Sequence, residues 1–204
     1  MPDGLFLVLD GPDGGGKTTQ IARLVERVKS AGREVETVRD PGGTAMGERV
    51  RAILLDPEVG EIDATTEMLL YQAARRRLVA ERIRPALEAG KVVICDRWHY
   101  ATSAYQSAGG GADPAAVRLT SKIATDGLEP RRAVLLDVPP AVAEQRMARP
   151  LDRMERKGPE FRRRVAAEFR RIFAASPERF VIVDATRTEE EVGQAVFEAV
   201  RDLL

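Results

Sequence analysis

Residues 5–20 read LFLVLDGPDGGGKTTQ, and they are the most informative residues about the fold. It opens with consecutive apolar residues without polar alternation, which is typical of a parallel strand covered on both faces. A glycine-rich turn follows, and the next residues carry apolar side chains at helical spacing until Gly32 ends the pattern. The stretch therefore predicts a strand over residues 5–9, a tight turn, and a helix over residues 18–31.

Further strands and helices can be read outward from this unit. Apolar runs predict strands over 92–95, 133–136 and 180–183, and a weaker run predicts another over 34–38. Helical spacing predicts a long helix over 66–89, bent near Pro85, and a closing amphipathic helix over 189–204. Strands that alternate with helices predict one α/β unit over residues 1–204, with a five-stranded parallel sheet flanked by helices.

The composition indicates a soluble globular chain and disfavours several classes of protein. Of the 204 residues, 44% are hydrophobic and 31% are charged. The 32 basic and 32 acidic residues leave no net field that would favour nucleic acid or an anionic membrane. No apolar run reaches membrane-spanning length, and the N-terminus has no signal-like pattern. Cys95, the only cysteine, lies in an apolar run, so we expect an inert buried thiol in a cytoplasmic protein.

Residues 11–18 match G-x-x-x-x-G-K-[S/T], the phosphate-binding P-loop pattern. Glycines let backbone N–H groups turn inward around phosphate oxygens, and the following helix presents its positive end. Lys17 is expected to bridge the β- and γ-phosphates, and the Thr18 hydroxyl is expected to hold Mg²⁺. The pattern predicts a three-layer P-loop NTPase fold, although a purely structural glycine turn is the alternative. The predicted ATP-binding residues are Gly11, Pro12, Asp13, Gly14, Gly15, Gly16, Lys17, Thr18 and Thr19.

An aspartate directly follows each of the four clearest apolar runs: Asp10, Asp96, Asp137 and Asp184. Ligands of open parallel sheets bind beyond the carboxyl ends of the strands, so acidic groups there can hold a metal ion or a hydroxyl. Alternatively, an aspartate can cap the following turn or helix. We expect capping at Asp137 and Asp184, and a functional role at Asp10 and Asp96.

The order and spacing of several segments resemble the thymidylate kinase family of nucleoside monophosphate kinases, along almost the whole chain. The matching segments are 11–20, 39–44, 71–75, 96–98, 104–106 and 152–155, and no guanine-reading N-K-x-D run is present. The resemblance implies phosphorylation of thymidine 5′-monophosphate (dTMP) by ATP, in dTTP biosynthesis. A kinase for another nucleoside or deoxynucleoside monophosphate stays open. Balanced charge disfavours a regulatory or nucleic-acid-binding P-loop protein.

The resemblance also implies how the acceptor is held. Tyr71 takes the place of a phenylalanine that stacks on thymine. Arg75 lies four residues later on the same helix face, so the pair offers a ring for a base and a fork for an anion. Arg75 and Arg97 are expected to grip the 5′-phosphate of the acceptor, and Arg51 is a further candidate.

Four more positions complete the acceptor site that the resemblance implies. Thr102 and Gln106 fall where the family hydrogen-bonds the N3 edge of thymine. Tyr105 falls where a tyrosine ring crowds the 2′ position of the sugar and favours deoxyribose. Asp13 matches an acidic residue that approaches the sugar hydroxyl and the phosphate of the acceptor.

Residues 149–161 are charged and broken by prolines and a glycine, which predicts a mobile flap, or LID, with an ordinary surface loop as the alternative. Gly14 matches family members without an arginine in the P-loop, where flap arginines supply the positive charge. Arg149, Arg153 and Arg156 fit that role, and Asp96 is expected to orient Mg²⁺-bound water or Arg97. The implied catalytic residues are Lys17, Asp96, Arg97, Arg149 and Arg153, with Thr18 and Asp96 at the metal.

The sequence departs from the family pattern at three positions near the acceptor. Asp40 stands where glutamate is usual, Ala101 where serine is common, and Gly110 where arginine is frequent. These departures bear on the fine tuning of the acceptor pocket and leave the reaction type unaffected. The implied partners are the small molecules ATP and dTMP, and the resemblance also implies a homodimer.

Overall fold

The computed structural model describes residues 3–147 and 151–204, and within them a five-stranded parallel sheet forms the centre. The strand order is β2-β3-β1-β4-β5. All five strands fall where the apolar runs predict them, so the predicted α/β fold is confirmed. Their bounds are β1 Leu5–Asp10, β2 Val35–Arg39, β3 Val92–Asp96, β4 Arg132–Asp137 and β5 Phe180–Asp184.

Nine α-helices surround the sheet within the described residues. Short 3-10 turns cover Pro57–Val59, Glu155–Lys157 and Arg201–Leu203, and π-helical turns cover Val79–Ile83 and Ser103–Gly109. The helices are α1 Lys17–Ser30, α2 Ala45–Leu55, α3 Ala64–Leu78, α4 Arg84–Glu88, α5 His99–Thr102, α6 Pro114–Thr125, α7 Pro140–Arg146, α8 Gly158–Phe173 and α9 Glu189–Glu198. None of the helices in the described segments is long and apolar enough to cross a lipid bilayer.

The helix predicted over 66–89 is divided rather than merely bent. It begins at Ala64, because the Asp63 carboxylate accepts hydrogen bonds from the next backbone N–H groups, and α3 ends at Leu78. A π-helical turn separates α3 from α4, which contains Pro85. A proline ring clashes with the carbonyl four residues earlier, and that carbonyl belongs to the π turn.

An apolar core covers each face of the sheet, which explains the lack of polar alternation in β1. Phe6 and Val8 face a core that includes side chains of α3, α4 and α8. Leu5, Leu7 and Leu9 face the opposite core, with side chains of α1 and α9. Each fully buried large apolar side chain contributes roughly 1.5–3 kcal/mol, so the two cores hold β1 firmly at the centre of the sheet.

The sheet topology places one crevice at the carboxyl ends of β1 and β3. These strands are neighbours, but the chain leaves β1 toward β2 and leaves β3 toward β4, on opposite sides. Such a reversal opens a crevice beyond the strand ends, where open α/β sheets bind their ligands. The glycine-rich turn that follows β1 and the Asp96-Arg97 pair at the end of β3 both lie there.

Candidate active site

The turn between β1 and α1 depends on glycine at position 14. Gly14 has a φ angle of 78°, which residues with a side chain rarely adopt. A Cβ atom there would lie 2.2 Å from the carbonyl oxygen of Ala143 in α7. Because backbone closes the space, an arginine at position 14 would require the loop or α7 to shift.

The end of the turn is an anion-binding site made by α1. Gly16 caps the helix with a φ angle of 85° and offers no side-chain acceptor, and the first turn of α1 has no acidic residue. The first N–H groups of α1, at the positive end of the helix, are therefore available to bind an external anion. The Lys17 Nζ lies inside the turn, 3.0 Å from the carbonyl oxygen of Gly11 and 2.8 Å from that of Pro12, and burial lowers its pKa.

Asp10 serves the backbone rather than a metal ion or a ligand hydroxyl, which corrects the expectation from the sequence. Its carboxylate is fully buried, with Oδ1 accepting from the Gly11 N–H at 2.9 Å and Oδ2 accepting from the Trp98 N–H at 3.2 Å. Burial raises the pKa of Asp10 to about 6, although Arg97 opposes the shift. Asp10 thus ties the start of the phosphate loop to the turn after β3.

The other strand-end aspartates differ from one another. Asp184 accepts from the Thr186 N–H at 3.0 Å, so its predicted capping role is confirmed. Asp137 instead forms an ion pair with Arg170 at 2.9 Å, across to α8. The capping prediction for Asp137 is therefore wrong, because a cation of α8 reaches the carboxylate.

Arg97 has a strained backbone and two strong contacts. Its φ angle of 71° is in the left-handed region, which is uncommon for a residue with a side chain. Nη1 donates to the Gly11 carbonyl and Nη2 donates to Asp13 Oδ1, both at 2.7 Å. Burial disfavours the charge, but Asp13 and Asp10 hold the pKa of Arg97 well above its usual value. The left-handed backbone thus directs the charged Arg97 side chain toward the phosphate loop.

Two cavities meet beside this arginine. The larger has about 750 Å³ and runs along the phosphate loop, with Lys17, Thr18 and Thr19 in its wall. The narrower has about 60 Å³ and lies between α3 and the segment after β3. This narrow space has room for a few water molecules.

Three side chains line both cavities: Asp13, Arg51 and Arg97. Arg51 donates to the Pro41 carbonyl at 3.3 Å, and its pKa is lowered by burial, by Arg39 and by Arg97. The lowering of the Arg51 pKa by two neighbouring arginines indicates a concentration of positive charge at the junction, which a bound anion would relieve. A phosphoryl group that passes from one cavity to the other must pass these residues.

Most predicted acceptor residues lie together around the narrower cavity. Tyr71, Thr102, Tyr105 and Gln106 all contribute to its wall. The Tyr105 ring lies 5.4 Å from the Arg97 guanidinium, in cation–π range. The structure therefore brings together the aromatic and polar groups that a base and a sugar would need.

Arg75 is also in this wall, but its surroundings differ from those of a free phosphate clamp. The side chain is almost completely buried, and Nε donates to Asp40 Oδ2 at 2.5 Å. Nη1 donates to Gln72 at 2.6 Å and Nη2 to the Thr102 hydroxyl at 2.9 Å. These contacts anchor Arg75 beside Thr102, a predicted base-reading residue, and favour a role in shaping the pocket over a grip on phosphate. Burial raises the pKa of Asp40, and Arg75 opposes that shift.

Comparison with known proteins decides the family. A family model described as "Thymidylate kinase" matches residues 9–196. The chain belongs to the thymidylate kinase family. A thymidylate kinase of Deinococcus radiodurans is 47% identical over 204 residues, covering 99% of this chain and 98% of its own length. Thymidylate kinases of Pelotomaculum thermopropionicum (43% identical; 98% and 94% covered) and Exiguobacterium sibiricum (42%; 93% and 90%) are also similar.

Membership in the thymidylate kinase family makes this chain a nucleoside monophosphate kinase, a transferase that uses ATP as its phosphoryl donor. The family and enzyme class predicted from the sequence are thereby confirmed. The match spans both cavities, from the end of β1 to α9. The roles of individual residues stay predictions, which the geometry supports to different degrees.

The predicted flap arginines are the weakest part of the family pattern in this chain. Arg149 lies outside the described residues. Arg153 is buried, and it donates to the Leu54 carbonyl at 2.9 Å and to Glu67 Oε1 at 2.6 Å. It lines neither cavity, and these contacts favour an anchoring role, so its catalytic role stays a prediction. Arg156 is exposed and donates to the Leu151 carbonyl at 3.0 Å.

Sequence reasoning missed three arginines in the wall of the larger cavity: Arg39, Arg146 and Arg187. Arg146 ends α7 and donates to the Ala185 carbonyl at 2.8 Å, which joins α7 to the loop after β5. Arg39 and Arg187 lie at or just beyond the carboxyl ends of β2 and β5. The rule that drew attention to the strand-end aspartates could therefore have found these two arginines.

Proposed function

We propose that this protein transfers the γ-phosphoryl group of ATP to the 5′-phosphate of dTMP, which gives dTDP for dTTP biosynthesis. The observation that carries the proposal is the shared lining of the two cavities by Asp13, Arg51 and Arg97. In-line transfer requires that donor and acceptor phosphates meet at one point. The phosphate loop lies on one side of that point, in the larger cavity, which is the donor cavity. Tyr71 and Gln106 lie on the other side, in the narrower cavity, which is the acceptor cavity.

The chemistry needs alignment and neutralisation of charge, and no general base. An acceptor phosphate oxygen, already anionic at neutral pH, attacks the γ-phosphorus. The bond from that phosphorus to the β–γ bridging oxygen breaks, and its electron pair leaves on ADP. Lys17 and the N–H groups of α1 neutralise the donor oxygens. Arg97 and Arg51 hold the acceptor phosphate and the moving group at the junction.

A magnesium ion fits the donor cavity. Asp96 Oδ1 is buried and accepts no hydrogen bond within the described residues, and the Thr18 hydroxyl lies in the same cavity wall. Mg²⁺ commonly keeps several waters and substrate phosphates as ligands, so one hydroxyl and one carboxylate of the protein suit it. Thr18 would bind the ion directly, and Asp96 would orient its water. The ion would neutralise charge that develops on the β- and γ-oxygens.

The base end of the acceptor cavity suits a pyrimidine nucleotide. Tyr71 offers a ring face, and burial raises its pKa, so the phenol stays neutral. Thr102 and Gln106 are almost completely buried, so their polar groups are directed at neighbours or ligand rather than at bulk water. Relatives over 40% identical are named thymidylate kinases, which supports thymine as the base.

A panel assay tests the proposed acceptor. The purified chain is incubated with ATP, Mg²⁺ and one of dTMP, dUMP, dCMP, dGMP or dAMP, and ADP release is followed by a coupled reaction. We expect the highest kcat/KM with dTMP and no ADP release with thymidine, which lacks the anion that Arg97 and Arg51 hold. Equal consumption of all monophosphates, or of none, would refute the proposal.

We also propose that the protein is a cytoplasmic homodimer. Leu119 and Ile123 lie one turn apart on α6, exposed by 62% and 66%, and Leu69 on the adjacent α3 is exposed by 53%. Exposed apolar side chains on two adjacent helices are of a kind that commonly marks an interface. Light scattering on Leu119→Glu with Ile123→Glu should give a monomer where the parent chain gives a dimer.

The buried free thiol of Cys95 agrees with a reducing compartment.

A further inference from the structure

Glu67 is a fully buried carboxylate in the first half of α3 that joins two parts of the protein. Its Oε1 accepts from Arg153 Nη1 and from Lys157 Nζ, both at 2.6 Å. Its Oε2 accepts from the side-chain amide nitrogen of Gln106 at 3.1 Å. The two cations come from the predicted flap segment, whereas Gln106 belongs to the acceptor cavity.

Glu67 fixes which end of the Gln106 amide faces the cavity. A carboxylate held by two cations can only accept hydrogen bonds, so the amide nitrogen of Gln106 must point toward it. A flipped amide would place Gln106 Oε1 against Glu67 Oε2, and two acceptors repel each other. Oε1 accepts no hydrogen bond from any described residue, and Gln106 lines the cavity wall. The group presented to a ligand is therefore a carbonyl acceptor.

We propose that Glu67 is a positioning residue that selects the acceptor base by holding Gln106 in this orientation. The inference rests on the proposed function. A fixed carbonyl acceptor matches an imide N3–H, which thymine and uracil have. Cytosine has an acceptor at N3, so its lone pair would face the Gln106 oxygen without a proton between them. The device excludes cytosine and does not distinguish thymine from uracil.

The same carboxylate also joins the base site to the flap segment. Arg153 also holds the carboxyl end of α2 through the Leu54 carbonyl, so Glu67 joins α2, α3, the flap segment and the base site in one buried network. Such networks specify one arrangement when all members are satisfied. A buried acceptor left facing another acceptor weakens binding on the order of 10- to 100-fold. We expect wild-type discrimination between dTMP and dCMP to include a factor of this size.

The test is Glu67→Gln, with kcat/KM measured separately for dTMP and dCMP. The neutral amide at position 67 can donate to Gln106 Oε1, which lets the Gln106 amide turn and present an N–H to cytosine N3. We expect the dTMP-to-dCMP ratio of kcat/KM to fall at least tenfold, mainly through KM, while the KM for ATP stays within about threefold. A ratio within twofold of wild type would overturn the role of Glu67.

Lys157→Met is the matched control. It removes one cation from Oε1 of Glu67 and leaves the Oε2 contact with Gln106 intact. The dTMP-to-dCMP ratio should stay within about twofold of wild type. A fall as large as that of Glu67→Gln would mean that flap charge, and not amide orientation, sets the preference.

Two further measurements keep the proposal testable if Glu67→Gln folds poorly because it leaves Arg153 without its carboxylate. The double variant Glu67→Gln with Arg153→Met removes both charges and should show the same fall in the ratio. On the wild-type enzyme, N3-methyl-dTMP, which has no N3 proton, should be used at least tenfold less efficiently than dTMP. Equal use of the methylated nucleotide would overturn the proposal. Failure of the wild-type enzyme to phosphorylate any pyrimidine monophosphate would instead refute the proposed function.

Discussion

Arg97→Ala isolates the residue that the two cavities share. In the native protein the guanidinium donates to the Gly11 carbonyl and to Asp13, and it lies at the meeting point of donor and acceptor. Removal of the side chain takes a fixed cation away from the place where the acceptor phosphate must sit. The phosphate loop keeps its glycines and Lys17, so donor binding should change much less.

The expected size follows from the contacts that Arg97 can make. A hydrogen bond between charged groups contributes about 1.5–3 kcal/mol, and every 1.4 kcal/mol is about a tenfold change. Loss of the two bonds of the fork, about 3–6 kcal/mol together, should therefore lower kcat/KM for dTMP at least about 100-fold. The KM for ATP should rise only about threefold, since Arg97 contacts the loop through a single carbonyl and Asp13.

A three-member series separates charge, geometry and backbone strain at this position. Arg97→Lys keeps the charge but loses the planar fork, so its defect should be smaller than that of Arg97→Ala but still at least tenfold. Arg97→Gly should be as inactive as Arg97→Ala but more stable by about 1 kcal/mol, because glycine relieves the left-handed φ of 71°. Steady-state kinetics with each substrate varied and urea unfolding measure these effects.

Two results would refute the reasoning on Arg97. An increase in KM confined to ATP would move the residue from the acceptor to the donor side. An Arg97→Gly protein no more stable than Arg97→Ala would show that the positive φ carries no strain. Arg77→Ala, an exposed site in α3 outside both cavities, controls for the general loss of a cation.

The other predictions concern the phosphate loop and its buried support. Lys17→Ala should lower kcat about 100-fold or more while the midpoint of thermal unfolding stays within a few degrees; near-normal turnover would refute the loop assignment. Gly14→Ala should reduce both stability and ATP affinity because its Cβ meets the Ala143 carbonyl oxygen at 2.2 Å, whereas Gly32→Ala, with a similar φ but open space, should cost about 1 kcal/mol of stability only. Asp10 has a raised folded-state pKa, so its ionisation destabilises the native state. As the pH rises from about 4 to about 6, the free energy of unfolding of the wild type should therefore fall by up to about 3 kcal/mol relative to that of Asp10→Asn. The same pH dependence of this free energy in both proteins, measured by urea unfolding, would contradict the prediction.

Periodicity predicted the fold well because the sheet is covered on both faces. The runs over 92–95 and 133–136 are continuous because helices pack on each side of them, and nothing in the tertiary structure overrides that pattern. The P-loop was equally readable, since its chemistry fixes residue types at fixed spacing. The division of α3 from α4 was not, because a π turn has no signature in apolar spacing.

The types of the site residues could be predicted from the sequence, but the directions in which their side chains point could not always be. Arg153 sits in a charged, broken segment that suggests a flap cation, yet Glu67, 86 positions away, turns it into the interior. Arg75 is likewise turned by Asp40, a residue distant in sequence. The direction of each arginine side chain depends on a buried carboxylate that is distant in sequence and close only in the fold. Spacing along the chain therefore does not predict it.

The strain at Arg97 is maintained by the same carboxylate that supports the phosphate loop. Asp10 accepts from Gly11 at the start of the loop and from Trp98 just after Arg97, while the Arg97 N–H donates to the Leu9 carbonyl at 2.9 Å. The contacts on both sides of Arg97 prevent its φ from relaxing. Asp10, at the end of β1, thus contacts both the phosphate loop and the turn after β3 that carries Arg97. The relative position of the loop and Arg97 is therefore fixed before either substrate binds, which favours in-line transfer.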